Sequence, residues 1–169
     1  WQPPGQVDVL FANAALQWAD DHVAVMQRLL AGLKPGGCLA VQMPDNLEEP
    51  SHVLMRKVAG DARWVEQLRH AASARQPILP ARQYANQLLP LCRSLDIWRT
   101  SYHHRLESAA AIVDFVSSTG LRPFLDPLDD AGRKAFKAAY EQEIRLAYPP
   151  LNDGTVLLAF PRLFIVAYV

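Results

Sequence analysis

Val7–Phe11 (VDVLF), Asp20–Leu33 (DDHVAVMQRLLAGL) and Lys34–Pro44 (KPGGCLAVQMP) are the three consecutive runs that decide the fold. The first is short, apolar and β-branched at Val7 and Val9. It is opened by Gly5 and closed by small and polar residues, and reads as a strand buried on both faces. In the second, Val23, Met26, Leu29, Leu30 and Leu33 recur at helical spacing, with Asp20 or Asp21 to cap the start and Gly32 near the end. Lys34-Pro35-Gly36-Gly37 is turn chemistry, and Cys38 to Met43 gives a second buried strand ended by Pro44. Strand, crossover helix and strand make a parallel pair, so the fold class is α/β.

In open sheets of this kind ligands sit outside the carboxyl ends of the strands. Those ends carry Asn13, Gln17 and Trp18 after the first strand. Gln42, Met43, Asp45 and Asn46 follow the second. Two polar clusters should therefore share one edge of the sheet, and that edge is the candidate site.

The bulk numbers narrow the field. At 169 residues and 50% hydrophobic, the chain can bury one core. Its 17 basic and 17 acidic side chains balance, which gives no electrostatic footprint for nucleic acid or an anionic membrane surface. Arginines greatly outnumber lysines, and although a guanidinium suits bidentate carboxylate binding, genomic base composition is the simpler source of that excess. Two cysteines, Cys38 and Cys92, make neither a disulfide framework nor a metal site. No apolar run approaches a membrane span and no signal peptide is visible, so the expected compartment is the cytoplasm.

Beyond Pro44 the pattern turns helical. Ser51 can cap a helix to about Ala59, Asp61 can cap another through Trp64, Val65, Leu68 and Ala72, and Ala81 to Leu89 forms a third that Pro90 ends. Leu95 to Tyr102 alternates as a strand. Ser108 opens a stripe of Ala111, Ile112, Phe115 and Val116, and Asp126 or Asp129 opens the longest helix, with Phe136, Tyr140, Ile144 and Ala147 buried. Val156 to Phe160 and Leu163 to Val169 read as two strands split by Pro161-Arg162, the last of them antiparallel. A single domain results, with helical insertions at about 50–94 and 107–150 forming a cap over the strand ends.

The strand ending in Asn-Ala-Ala-Leu-Gln-Trp, the helix, and Leu-Lys-Pro-Gly-Gly before the next strand resemble the second half of a class I S-adenosylmethionine-dependent methyltransferase. Within that family, AVQMPDN (40–46), HVLMR (52–56), DIWRT (96–100), TGLRP (119–123) and LAFPRLFIV (158–166) are together similar to the trans-aconitate methyltransferases. The resemblance implies a Rossmann-like sheet and S-adenosylmethionine as cofactor. Three earlier strands should supply a glycine-rich loop and two acidic cofactor contacts. No G-x-G-x-x-G run is present, and the chain opens at Trp1 directly before a strand read as buried. The expectation is a C-terminal portion of about 60–65% of a longer enzyme, inactive alone.

The resemblance also assigns roles. Asn13 and Ala14 would flank the methionine end of the cofactor, and Gln17 and Trp18 would line the methyl-transfer pocket, where an indole face near a sulfonium is worth about 1–2 kcal/mol. Arg122 and Arg162 would clamp the non-reacting carboxylates of a small anionic tricarboxylate, helped by Met43, Asn46 and Tyr148, with Arg56 a weaker third cation. Asp45 would repel such a substrate. Each of these residues also has a plain structural reading as a turn cap, a core aromatic or a solvated arginine. Adjacent strand residues point to opposite faces, so His103-His104 is not a metal pair, and no Gly-x-Ser-x-Gly elbow occurs. Rival functions are carboxyl methylation of another acid or a carrier-linked acyl group, and a non-catalytic binding fragment.

Overall fold

The computed structural model describes residues 6–169; Trp1 and Gly5, invoked above, lie outside them. The elements in chain order are β1 (Val7–Asn13), α1 (His22–Ala31), β2 (Leu33–Pro44), α2 (Pro50–Ala59), α3 (Val65–Leu68), α4 (Ala81–Leu88), β3 (Ser94–Leu106), α5 (Ala109–Ser117), α6 (Arg122–Leu125), α7 (Asp130–Ala147) and β4 (Val156–Tyr168). One four-stranded sheet runs in the order β1-β2-β4-β3. β1 and β2 are parallel and β2 and β4 antiparallel, as the sequence predicts. The chain divides into two compact units. The first comprises residues up to Asp45, Gln76–Ser101 and Pro161–Val169, and the second Asn46–Arg75 and Tyr102–Phe160.

In the first unit α1 lays Val23, Met26 and Leu30 against Leu39, Val41 and Met43 of β2 and Leu163, Ile165 and Ala167 of β4. The Asp21 carboxylate caps α1, accepting from the Ala24 amide at 2.9 Å. α4 belongs to this core through Tyr84 and Leu88. The Tyr84 hydroxyl accepts from the Leu79 amide at 3.1 Å and lies 2.6 Å from His22 Nε2, which fixes the proline-bounded loop before α4.

Three expectations need correction here. β1 is not covered on both faces in this chain: Val9 is 62% exposed and Phe11 72%, and among the described residues β2 is the strand it pairs with. Lys34–Gly37 is not a turn before the strand but an irregularity inside β2, where pairing jumps from Val7↔Leu33 to Val9↔Cys38. Gly36 takes φ 82° there, and a Cβ on Gly37 would sit 2.9 Å from the Lys34 carbonyl oxygen. Finally, Pro161-Arg162 does not split the last strand. β4 is continuous because an antiparallel partner can accept from Asp45 N at the Pro161 carbonyl (2.9 Å), which needs no N–H from the proline.

The second unit packs α2, α5 and α7 around Phe136, Tyr140, Ile144, Ile112, Val116 and Met55. Ser108 caps α5 and Asp129 caps α7, as expected. Ser51 does not cap α2: Glu49 precedes Pro50 at its first turn, and Ser51 is drawn inside by hydrogen bonds. Ala147, expected inside, is exposed at the end of α7. Ion pairs such as Lys57–Glu143 and Arg105–Asp153 lie in exposed positions and add little, about 0–1 kcal/mol each. Among the described residues, no helix is long and apolar enough to cross a membrane, and no group of three His, Cys, Asp or Glu could hold a metal ion.

Candidate functional site

The first unit gathers one cluster at the carboxyl end of the parallel pair. Asn13 pairs in register with Gln42, and the amide of the next residue, Ala14, donates to the Gln42 carbonyl at 2.9 Å. Ala14 holds φ 51°, a left-handed conformation that costs a non-glycine residue about 1 kcal/mol and that recurs where a loop must turn sharply at a site. Its carbonyl accepts from Gln17 Nε2 at 2.7 Å. Gln17 is 6% exposed, and its Oε1 is a buried acceptor with no partner among the described residues. Trp18, next along this 3₁₀ turn, is 50% exposed.

Across the strand end, Arg162 Nη1 donates to Gln42 Oε1 at 2.8 Å. An arginine offers no acceptor, so this contact fixes the Gln42 amide with its oxygen toward Arg162. The Gln42 Nε2 group is left buried and without a partner among the described residues. Met43 pairs with Leu163 one step on, and its side chain is fully buried in the core. Asp45 does not stand as a bare repelling charge. Arg99 pairs with its carboxylate at 2.9 Å and donates to its backbone carbonyl at 3.2 Å. Trp98 stacks on Phe164 at 5.0 Å, giving this strand end an aromatic wall.

The second unit places the other candidates. Asn46 is buried, and its Oδ1 accepts from Arg75 Nη1 at 2.8 Å. The Tyr148 hydroxyl accepts from the Ser51 amide at 3.0 Å, Tyr140 donates to the Ser51 carbonyl at 2.7 Å, and Ser51 Oγ meets His52 Nδ1 at 3.1 Å. Arg122 is 71% exposed, paired with Asp126 one turn on in an exposed helical ion pair. Arg56 pairs with exposed Glu48. A surface cleft of about 450 Å³ beside α2 and α7 is lined by charges such as Lys57 and Glu143 that pair with each other.

His52 sits deep in this network. Burial first, then the Arg75 and Arg56 guanidiniums, pushes its pKa down from 6.5 to about 4. Between those values the unfolded chain binds a proton that the folded one refuses, so stability is intact above pH 6.5 and falls as the pH drops toward 4. The loss amounts to about 3 kcal/mol at most. Urea midpoints taken from pH 7 to pH 4.5 should fall more steeply for the native protein than for His52→Gln. Parallel curves would mean that the histidine titrates normally.

The sequence reading named Gln42 only as a strand-end residue and missed Arg99 and Arg75 as partners of Asp45 and Asn46. Arg99 carried a faint signal in the alternation of LDIWRTSY, and Arg75, in a loop before Gln76-Pro77, carried none.

No family model matches the chain. It is 56% identical over 99% of its length to a trans-aconitate 2-methyltransferase of Rhodopseudomonas palustris, 57% over 98% to one of Afipia carboxidovorans, and 54% over 99% to one of Paracidovorax citrulli. In each case it spans 65% of the relative's own length. Among solved structures, the Haemonchus contortus phosphoethanolamine N-methyltransferase 2 complex with S-adenosylhomocysteine aligns at 13% identity and a TM-score of 0.46, covering 99% of this chain and 35% of that one. That likeness is distant, and the sequence relatives carry the assignment. Identity at this level along nearly the whole chain makes this protein a homologue of the trans-aconitate 2-methyltransferases.

Proposed function

We propose that the chain serves a methyltransferase that esterifies one carboxylate of a small tricarboxylic acid of the trans-aconitate type, with S-adenosylmethionine as methyl donor. The observation that carries this reading is identity of 49–57% over nearly the whole chain to proteins of that name. The strand-end cluster supports it. A ligand carrying an ammonium group beside Ala14 would give Gln17 Oε1, a buried acceptor, the donor that it lacks. Asn13, Ala14 and Gln17 would therefore hold the amino-acid end of the cofactor, with Trp18 beside them. When bound, S-adenosylmethionine supplies a methyl group on a sulfonium centre.

The side chains have correspondingly little covalent work to do. A carboxylate is already ionised at neutral pH, so its attacking oxygen needs no general base. What the protein must provide is alignment and the exclusion of water. Arg162 is the best-placed cation for a non-reacting carboxylate, because Gln42 already orders its guanidinium. Arg122, Asn46 and Tyr148 remain parts of this reading as further substrate contacts, whereas Met43, expected among them, is fully buried in the core and serves packing. A cation on the attacking oxygen would blunt its nucleophilicity, so the clamp belongs on the other carboxylates.

The test is a methyl-transfer assay of the full-length protein on trans-aconitate, simpler monoacids and carrier-linked acyl groups. Trans-aconitate should exceed free monoacids by 10²-fold or more in kcat/KM. A preference for the carrier-linked acid would transfer the function to that substrate class, and no methylation of any acid would leave a binding fragment.

A further inference from the structure

We infer that His22 is a positioning residue for the cofactor: its neutral ring links the Tyr84 hydroxyl to the Ala19 carbonyl and so holds the turn that presents Gln17 and Trp18. The inference rests on the functional reading just given and names a residue that this reading leaves out.

The direction of each hydrogen bond follows from counting donors. Tyr84 has no exposed surface, and its hydroxyl oxygen accepts from the Leu79 amide at 3.1 Å. The hydroxyl hydrogen still needs an acceptor, and His22 Nε2 lies 2.6 Å away. Tyr84 therefore donates, Nε2 accepts, and the ring carries its proton on Nδ1. The backbone of Ala19 is the ring's other hydrogen-bond partner, and a ring N–H meets it at the carbonyl. Ala19 in turn closes the 3₁₀ turn Leu16–Trp18, its amide donating to the Leu16 carbonyl at 3.0 Å. At the other end of that turn Gln17 is tied to the Ala14 carbonyl, and Ala14 to Gln42 of β2. The turn is thus held at its entrance by β2 and at its exit by His22, which draws on α4 and the loop before it. The start of α1 asks for no histidine, because Asp21 already caps it.

A second proton on the ring would undo this arrangement. Nε2–H would then face an oxygen that already accepts from Leu79, and the buried hydroxyl hydrogen would lose its acceptor. Burial disfavours that proton and lowers the pKa of His22 from 6.5, against the opposing pull of the Ala19 backbone and the Asp21 carboxylate. Of the other charged groups around the pair, Asp45 bears on Tyr84 from the end of β2, while Asp20, Arg28 and Arg82 are exposed. Lys34 pairs with Asp8 at the start of β2, and the 3₁₀ turns Leu16–Trp18 and Leu89–Leu91 contain no titratable side chain.

Calorimetric titration of the full-length protein with S-adenosylhomocysteine, at steps from pH 7.5 to pH 5, tests this. Neither the ammonium nor the α-carboxylate of that probe changes charge on acidification over this range. Native affinity should fall about threefold or more as His22 takes up its second proton. His22→Gln has an amide that accepts from Tyr84 and donates to Ala19 at any pH. It should bind within about threefold of native at pH 7.5 and show no such fall. His52 and the carboxylates titrate alike in both proteins, so the difference belongs to position 22. His22→Ala should bind about tenfold more weakly at pH 7.5, the worth of about one hydrogen bond. Its KM for the acid should move less than its KM for S-adenosylmethionine. Should His22→Ala fail to fold, the native profile against that of His22→Gln decides alone. A native profile as flat as that of His22→Gln, or an alanine variant that binds as tightly as native, overturns the inference and leaves the functional reading intact. A native protein that binds no S-adenosylhomocysteine at any pH overturns the functional reading and the inference with it.

Discussion

Arg162→Ala is expected to raise KM for trans-aconitate by roughly 10²-fold while KM for S-adenosylmethionine moves less than about threefold. A charge-assisted hydrogen bond is worth about 1.5–3 kcal/mol, and each 1.4 kcal/mol is about a factor of ten. The guanidinium is already held by Gln42 at 2.8 Å, so little side-chain freedom remains to be lost on binding. Alanine also leaves Gln42 Oε1 without its donor, which costs the fold about 1–3 kcal/mol. Arg162→Lys separates the two effects: it restores a donor and a charge but not the planar fork, and should recover stability more fully than affinity. Equal rises in KM for acid and cofactor would show that the residue acts on the strand end as a whole rather than on the acid.

Phe136→Ala should cost the protein about 3–5 kcal/mol, the usual range for truncating a buried aromatic. Phe136 has no exposed surface, meets Trp64 edge-on at 5.2 Å and lies parallel to Phe124 at 6.0 Å. It starts the inward stripe of α7, with Tyr140 and Ile144 following at four-residue spacing, and α7 spans the second unit's core. Alanine would delete one ring from two aromatic pairs and leave a cavity between helices that are each fixed by caps or hydrogen bonds. Phe136→Leu should cost far less, about 1–1.5 kcal/mol, because volume is largely kept. Urea unfolding monitored by tryptophan fluorescence reads both. A loss below about 1 kcal/mol for the alanine would mean that the three rings do not pack as described.

Periodicity and turn chemistry were enough to read the parallel pair, α1 with its Asp21 cap, the Ser108 and Asp129 caps and the antiparallel final strand. Where the reading failed, a longer-range term won. β1 looked buried because its residues are apolar, but burial depends on what packs over each face, and among the described residues Val9 and Phe11 are left uncovered. Pro161 looked like a break because proline lacks a donor, yet its carbonyl alone satisfies the ladder at that point. Ser51 looked like a cap and instead anchors Tyr148, 97 positions away. The site divided in the same way. Asn13, Ala14, Gln17 and Trp18 were candidates because a strand end is a local signal. The pairing of Gln42 with Arg162 could not, since it is a contact across 120 positions.

That separation along the chain has a consequence for how the protein is made. β2 receives β1 and α1 almost at once, since they precede it, but its other edge waits for β4. At about 5–20 residues per second, ribosomes need on the order of ten seconds to cover the interval. Throughout it, the strand from Cys38 to Pro44 offers an open row of amides and carbonyls on an apolar face, a ready template for another nascent copy. Slower elongation or loss of the final residues would prolong that exposure, so yield in the cell should depend on the speed of synthesis as much as on the stability of the finished fold.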